Sequence, residues 1–415
     1  MSTSCKTISD VVAWRLCLGC GVCVSVCPQK ALTLVDVEND GLRPKRDASR
    51  CEDCGTCLAV CPGIAIAAPQ AHSLAIDSLR PAWGNVLEVW EGYAADPEIR
   101  FRGSSGGMAT ALSLFALEKR QWQGSLHIGS EPEHPLRNRA VVSRCREDLL
   151  ERTGSRYSPA APCANINMIA NNGAEFVFAG KPCDVVALRK WQALADGETR
   201  PIGLAISIFC AGTPSTQGTR QILDRLGVRP EDVTEFRYRG CGWPGRTTAK
   251  TNSDSHTDHS LTYEQSWGDI LSKHTQFRCR LCPDSTGELA DISCGDPWYR
   301  KAESEDPGRS LVLVRTEVGR EILHEAMAAG YVTLERVEPW TLPQSQPSLL
   351  RRRLNLWGRL AALRLLRAAV PSYERFSLYE NWKTLPAREK LRSILGTARR
   401  ALQRGWWTRD RGKNK

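Results

Sequence analysis

The stretches CLGCGVCVSVCP, residues 17–28, and CEDCGTCLAVCP, residues 51–62, share one spacing, C-x2-C-x2-C-x3-C-P. Three cysteines separated by two residues each lie on a tight loop and reach three irons of one cubane. The fourth points away and serves a neighbouring cubane. The repeat therefore predicts two [4Fe–4S] clusters, one on Cys17, Cys20, Cys23 and Cys61, the other on Cys51, Cys54, Cys57 and Cys27. Pro28 and Pro62 donate no backbone N–H and fix the turn after the last ligand. Gly21 and Gly55 stand where the chain bends closely round a cluster. Zinc sites favour paired C-x2-C units with a long gap between them, which this doubled run does not match.

Outward from these motifs, ALTLVDVEND and LRPKRD read as two short strands joined by a turn. A linker, PQAHSLAIDSLRPAWGN, follows. From VLEVWEGYAA at Val86 to about Glu335, apolar runs (EFVFAG at Glu175, AISIFC at Ala205, SLVLVRT at Ser310) alternate with helical stretches (MATALSLFALEKR at Met108, RQILDRLG at Arg220, GREILHEAMAAG at Gly319). The pattern predicts a mixed α/β body. No G-x-G-x-x-G or Walker A run occurs. The expected division is a two-cluster module over 1–68, a body over 69–335 and a basic helical extension over 336–415.

The chain has 415 residues, 17 cysteines and a formal charge of +10. That charge is local. Residues 350–415 hold 18 Lys/Arg against 4 Asp/Glu, a net of +14, and the remainder holds 38 against 42, a net of −4. The slightly acidic balance of the body weakens the case for a cationic cleft that draws in a polyanionic substrate. The extension, RRRLNLWGRLAALRLLRAAV to KLRSILGTARRALQRGWW, sets leucines at helical spacing among arginines. It reads as surface helices packed on the body, or as a basic amphipathic surface for a partner or an anionic membrane. No nucleic-acid motif accompanies it. No apolar leader precedes the first cysteine motif, and the apolar runs fall short of the roughly 18 residues a membrane span needs. The expectation is a cytoplasmic protein, with the inner membrane surface as a peripheral location, whose cysteines bind metal in a reducing compartment.

Nine cysteines lie outside the doubled motif. Cys183 in FAGKPCD and Cys210 in SIFCAG follow apolar strands, and Cys279 and Cys282 form CRLCPD. Loops at the carboxyl ends of parallel strands gather ligands, so these four are able to meet. Spacing alone leaves a third cluster, a zinc site and a redox disulfide open. His256 and His259 have H-x2-H spacing but sit in a polar loop, SDSHTDHSL, and give no metal signal.

Five segments in order, FRGSSGGMATALSLFALEK, GSRYSPAAP, AGKPCDVVALRK, ISIFCAG and CRLCPDSTGELADISCGDPW, resemble the coenzyme F420 hydrogenase/dehydrogenase beta-subunit family. That family includes the F420-reducing hydrogenase beta subunit and 7-hydroxymethyl chlorophyll a reductase. The resemblance covers roughly residues 68–335. It implies FAD and a third [4Fe–4S] cluster in the body, with Cys183, Cys210, Cys279 and Cys282 as ligands. For the flavin, Ser105, Gly106, Gly107 and Thr110 offer free N–H groups and close approach at a helix start. Arg156, Tyr157 and Ser158 offer polar and stacking contacts. Asp291 and Asp296 are candidates near cluster or flavin, or caps of local structure, and Cys294 has no assigned role.

The implied activity is an iron–sulfur flavoprotein oxidoreductase. Electrons from a donor such as a ferredoxin would pass through the clusters and FAD to an organic or glycan-related substrate. Clusters carry one electron, a hydride needs two, and a flavin converts between them. An electron-relay subunit serving a partner protein, and a regulatory iron–sulfur protein without flavin, are the alternatives.

Overall fold

A computed structural model describes residues 5–169, 174–194, 202–252, 259–301 and 306–410. In the N-terminal module, β1 (Leu32–Val37) and β2 (Gly41–Arg46) form an antiparallel hairpin between the two cysteine loops. β3 (Ala65–Ala67) closes the module.

The body strands are β4 (Glu88–Ala94), β5 (Gly124–Glu131), β6 (His134–Ser143), β7 (Phe176–Gly180), β8 (Ile202–Ile208), β9 (Val233–Arg237), β10 (Thr247–Thr251), β11 (His259–Leu261), β12 (Ile292–Gly295), β13 (Ser310–Val314) and β14 (Val332–Arg336). Eight of them make one sheet in the order β14-β4-β13-β12-β8-β7-β5-β6. Its centre, β5, β7, β8 and β12, is parallel, and antiparallel strands flank it. A parallel centre must be covered on both faces, and the sequence supplies this by alternation. Val177, Leu204 and Ile206 pack on the side of the Met108–Glu118 and Glu317–Ala328 helices. Phe176, Phe178 and Ala205 pack on the side of the Pro182–Gln192 helix. β9, β10 and β11 form a second, antiparallel sheet.

The segments expected as strands and helices are found as such. Cys20, Val22 and Val60 of the cysteine module share a buried core with Ile166, Val185 and Leu188 of the body. The Cys163 N–H donates to the Cys20 carbonyl at 3.0 Å. A methyl group at Gly21 would sit 2.7 Å from the Ala164 Cβ, so the left-handed Gly21 (φ +85°) is also where the two parts touch.

The basic extension packs on the rest of the molecule. Its Pro347–Leu365 helix buries Leu349, Leu356, Leu360 and Leu363. β15 (Ser372–Glu374) pairs in parallel with β3. The Ala387–Arg404 helix covers the first of these helices and leaves Leu391, Leu395 and Leu402 exposed beside Arg388, Arg392 and Arg399. Among the described residues no helix is long and apolar enough to cross a membrane.

Candidate functional site

The doubled motif folds into two interleaved groups. Burial, with repulsion from Cys17 and Cys61 close by, pushes the Cys23 thiol well above its ordinary range. Cys20 is raised in the same way by burial and by Cys23 and Cys61, and burial and Cys17 push Cys61 to about 12. Cys57 is raised by burial and by Cys54, Cys27 and Cys51. The fourth cysteine of each run therefore stands with the other run's loop. The group of Cys17, Cys20, Cys23 and Cys61 is buried and surrounds a small enclosed space. The group of Cys51, Cys54, Cys57 and Cys27 lines an open cavity of about 290 Å³, with Cys54 exposed.

Local geometry explains the loops. Gly21 and Gly55 adopt left-handed conformations (φ +85° and +78°) and begin the short helices that carry Cys23 and Cys57. Backbone N–H groups point at sulfur. Gly19 donates to Cys17 Sγ at 3.4 Å and Ala31 to Cys27 Sγ at 3.3 Å. Such bonds favour the thiolate that a metal needs.

Cys183, Cys210, Cys279 and Cys282 also converge. Burial raises all of Cys183, Cys210 and Cys282, the last two to about 11 and about 12, with mutual repulsion among these thiols and Cys279 adding to it. Cys183 follows β7 and Cys210 follows β8, both at carboxyl ends of parallel strands. Cys210 Sγ accepts from the Gly212 N–H and Cys279 Sγ from the Thr213 N–H, each at 3.4 Å. Among the described residues no three His, Cys, Asp or Glu side chains converge tightly enough for a single ion. The cysteine groups are spread more widely, and a cubane asks one thiolate per iron.

A cavity of about 320 Å³ adjoins this third group, with Cys210 in its wall. It lies over the carboxyl ends of β7, β8 and β12. The start of the Met108–Glu118 helix faces it through Ser105, Gly107 and Thr110, and Arg156, Tyr157 and Ser158 line it too. These expected residues divide by what their side chains do. The Ser105 hydroxyl is engaged by the Gly295 and Arg309 carbonyls. Arg156 spends its donors on Asn138 and on the Phe236 and Pro135 carbonyls, and Ser158 accepts from Asn138 at 2.6 Å. Thr110 and the Tyr157 ring face the space. Gly106 lies behind it, where a methyl group would come within 2.9 Å of the Arg309 Cα. Gly107 is left-handed (φ +72°), and a methyl group there would meet the Ile99 carbonyl at 2.6 Å. Its glycine is demanded by the turn and by that carbonyl.

Sequence reasoning missed several side chains on the cavity. Arg239, in RYRGCGW, is buried against Asp296, donating from Nη1 at 2.8 Å. Trp243 Nε1 donates to the same carboxylate at 2.7 Å. The Arg239 guanidinium also lies 5.1 Å and 5.3 Å from the rings of Tyr263 and Trp298, which stack on each other. Tyr157 and Trp267 meet at 4.9 Å. An aromatic wall backed by a cation suits a planar group, and the aromatic-rich GDPW and YEQSW segments were its only sequence signal. Lys181, which also lines the cavity, pairs with Asp184 at 2.6 Å. Burial opposes the ammonium charge, but Asp184 outweighs it and holds Lys181 above its usual range.

Asp291 is a local tie. It accepts from the Ala205 N–H at 2.8 Å and pairs with Arg189 at 2.9 Å. Cys294 faces the cavity from β12, its thiol pushed to about 12 by burial. His259 lies in β11, and His256 lies outside the described residues.

Comparison with known proteins bears on this geometry. Residues 89–166 match the family model for the N-terminal part of the coenzyme F420 hydrogenase/dehydrogenase beta subunit, and residues 173–339 match the model for its C-terminal part. Residues 16–64 match a 4Fe-4S dicluster domain. The coenzyme F420 hydrogenase subunit beta of Methanococcus voltae is 24% identical over 264 residues, 62% of this chain and 86% of that protein. The coenzyme F420-dependent sulfite reductase of Methanocaldococcus jannaschii is 26% identical over 362 residues, 80% of this chain. The chain spans about half (49%) of that relative's length. A chain of the F420-reducing [NiFe] hydrogenase complex from Methanosarcina barkeri shares the fold, with a TM-score of 0.52 at 24% identity over 66% of this chain and 91% of that one.

Proposed function

Because the chain belongs to the coenzyme F420 hydrogenase/dehydrogenase beta-subunit family and carries a 4Fe-4S dicluster domain, we propose that it is an iron–sulfur flavoprotein oxidoreductase acting on an organic substrate. One observation carries this reading: a cavity of about 320 Å³ whose wall contains both a cysteine of the third group and the start of a long helix. Cys17, Cys20, Cys23 and Cys61, then Cys51, Cys54, Cys57 and Cys27, would each hold a [4Fe–4S] cluster. Cys183, Cys210, Cys279 and Cys282 would hold a third. The N-terminal turn of the Met108–Glu118 helix, with Thr110, would take the FAD phosphates. Tyr157 and the Tyr263–Trp298 wall would take planar rings.

When bound, the clusters supply one-electron transfer and the flavin couples it to two-electron chemistry. The residues do the rest. Arg239, fixed by Asp296, presents a permanent positive charge behind the aromatic wall. Lys181 keeps its proton beside Asp184 at the cavity edge. The fully buried β12 (Ile292–Gly295) closes the floor of the cavity at Cys294.

Anaerobic purification of the full chain tests the proposal. Extracted FAD near one per chain, with reduction of an added organic acceptor, is the expected result. Flavin-free protein with intact clusters would overturn it. Relatives that are beta subunits of larger enzymes support a second reading, in which the chain relays electrons to a partner protein. The exposed leucines and arginines of the Ala387–Arg404 helix form a docking face on that reading. Acceptor reduction by the isolated chain separates the two.

A further inference from the structure

Arg278 is almost wholly enclosed, with 1% of its surface exposed. Its guanidinium donates to three carbonyls. Nε reaches Gly63 O at 3.0 Å and Nη2 reaches Pro62 O at 3.1 Å, directly after Cys61. Nη1 reaches Leu281 O at 3.2 Å, between Cys279 and Cys282. Arg278 itself immediately precedes Cys279. A single side chain thus ties the last ligand segment of the N-terminal module to the cysteine loop of the body.

Two further contacts fix the same junction. The Tyr373 ring lies 5.4 Å from the Arg278 guanidinium, and its hydroxyl donates to the Leu281 carbonyl. Lys190 Nζ donates to the Cys61 carbonyl at 3.2 Å, from the helix whose first turn holds Cys183. The links that reach the N-terminal module, from Arg278 and Lys190, all end on the Cys61–Gly63 segment, which belongs to the group of Cys17, Cys20, Cys23 and Cys61. Cys51, Cys54 and Cys57 face the opposite way, towards the open cavity and solvent.

We infer that Arg278 is a positioning residue that couples the buried N-terminal cysteine group to the third group. It sets an order in which the Cys51/Cys54/Cys57/Cys27 site is outermost, the Cys17/Cys20/Cys23/Cys61 site is intermediate, and the third group is innermost. A fork of donors matched to three carbonyls from two segments holds the two loops at one fixed separation, and short covalent and hydrogen-bonded connections favour electron transfer. The order is the same in either direction of flow. Each transfer moves one electron and breaks no bond, the electron coming from an external one-electron reductant. The inference rests on the proposal that the third group holds a cluster.

The test uses the full chain, purified anaerobically, with dithionite as the reductant. In the unmodified chain, pulsed electron paramagnetic resonance should show magnetic coupling of the intermediate site to both others, and weaker coupling between the outermost and innermost sites. In Arg278→Leu, iron should stay near that of the unmodified chain while freeze-quench spectra show reduction of the innermost site slowed by about ten-fold or more, since small misplacements of reacting groups cost rates of this order. Arg278→Lys, which keeps one donor, should recover part of the rate, and Tyr373→Phe should slow it mildly with the core intact. Iron near eight atoms in the unmodified chain, at four per cubane, would reject the third cluster itself. Iron near twelve (the same four per cubane) with direct outermost-to-innermost coupling as the strongest, or with an unchanged rate in Arg278→Leu and Tyr373→Phe, would overturn the inference alone.

Discussion

Arg353 and Glu288 form an ion pair at 2.7 Å, with 5% and 3% of their side chains exposed. The arginine comes from the C-terminal extension, beyond the family-matched segment that ends at 339. The glutamate follows the Cys282 loop. Arg353 also donates to the Pro283 carbonyl, Arg359 to the Arg280 carbonyl at 3.0 Å and Tyr373 to the Leu281 carbonyl. Arg352 holds the Ala211 carbonyl beside Cys210 at 2.7 Å. The extension is a clamp on the third cysteine group.

Breaking this pair on one side leaves a buried, unpaired charge, which costs about 3–5 kcal/mol. Arg353→Leu is expected to lower unfolding free energy by that order in chemical denaturation. The double variant Arg353→Leu with Glu288→Leu should recover part of the loss, because no charge is then stranded.

Iron content should reach about 12 atoms per chain, at four per cubane. Cys279→Ser should reduce it to about eight and leave the spectra of the N-terminal sites unchanged. Elemental analysis of anaerobic protein measures this, and a content unaffected by the substitution would remove the third cluster.

Thr110→Val removes a hydroxyl from the cavity without changing size. Loss of one hydrogen bond to a charged phosphate is worth about 1.5 kcal/mol, roughly a ten-fold weaker FAD affinity, read by titrating apoprotein with FAD. Gly107→Ala is expected to act differently. Its left-handed turn and the Ile99 carbonyl make it a fold defect of more than about 1 kcal/mol, visible in thermal unfolding with or without flavin.

Cys54→Ser strikes the exposed thiol of the outermost site. The variant should keep its flavin. Reduction of substrate by a donor that reduces flavin directly should persist, and ferredoxin-supported turnover should collapse. Equal loss of both at full flavin content would place the N-terminal module in substrate chemistry.

His127 lies against the cavity wall with Nε2 2.8 Å from Ser143 Oγ and Nδ1 3.0 Å from the Ile128 carbonyl. Burial lowers its pKa from 6.5 to about 4. The unfolded chain therefore takes up a proton that the folded chain refuses, and stability falls as pH drops from about 6.5 towards 4. His127→Gln should flatten that part of the stability profile, measured by denaturant midpoints across the range.

Features that depend on neighbours along the chain are readable from the residues alone. The C-x2-C-x2-C-x3-C-P spacing, with left-handed Gly21 and Gly55, builds each ligand loop locally. The alternation of Phe176, Val177 and Phe178 marks a strand covered on both faces before any partner is known. The fold class and the helix starting at Met108 were legible for the same reason. Tertiary structure alone decided which distant segments meet. Arg239 reaches Asp296, Arg278 reaches Pro62 and Gly63, and Arg353 reaches Glu288 across separations of 57, 216, 215 and 65 residues. No periodicity reports such contacts, because each arginine reads as an ordinary surface charge until burial forces it to find its partner. Sequence alone left the basic extension between helices packed on the body and an outward basic surface. Its Pro347–Leu365 helix turns a leucine face and several arginines inward, since the carbonyls of the cysteine loop, once buried, require donors.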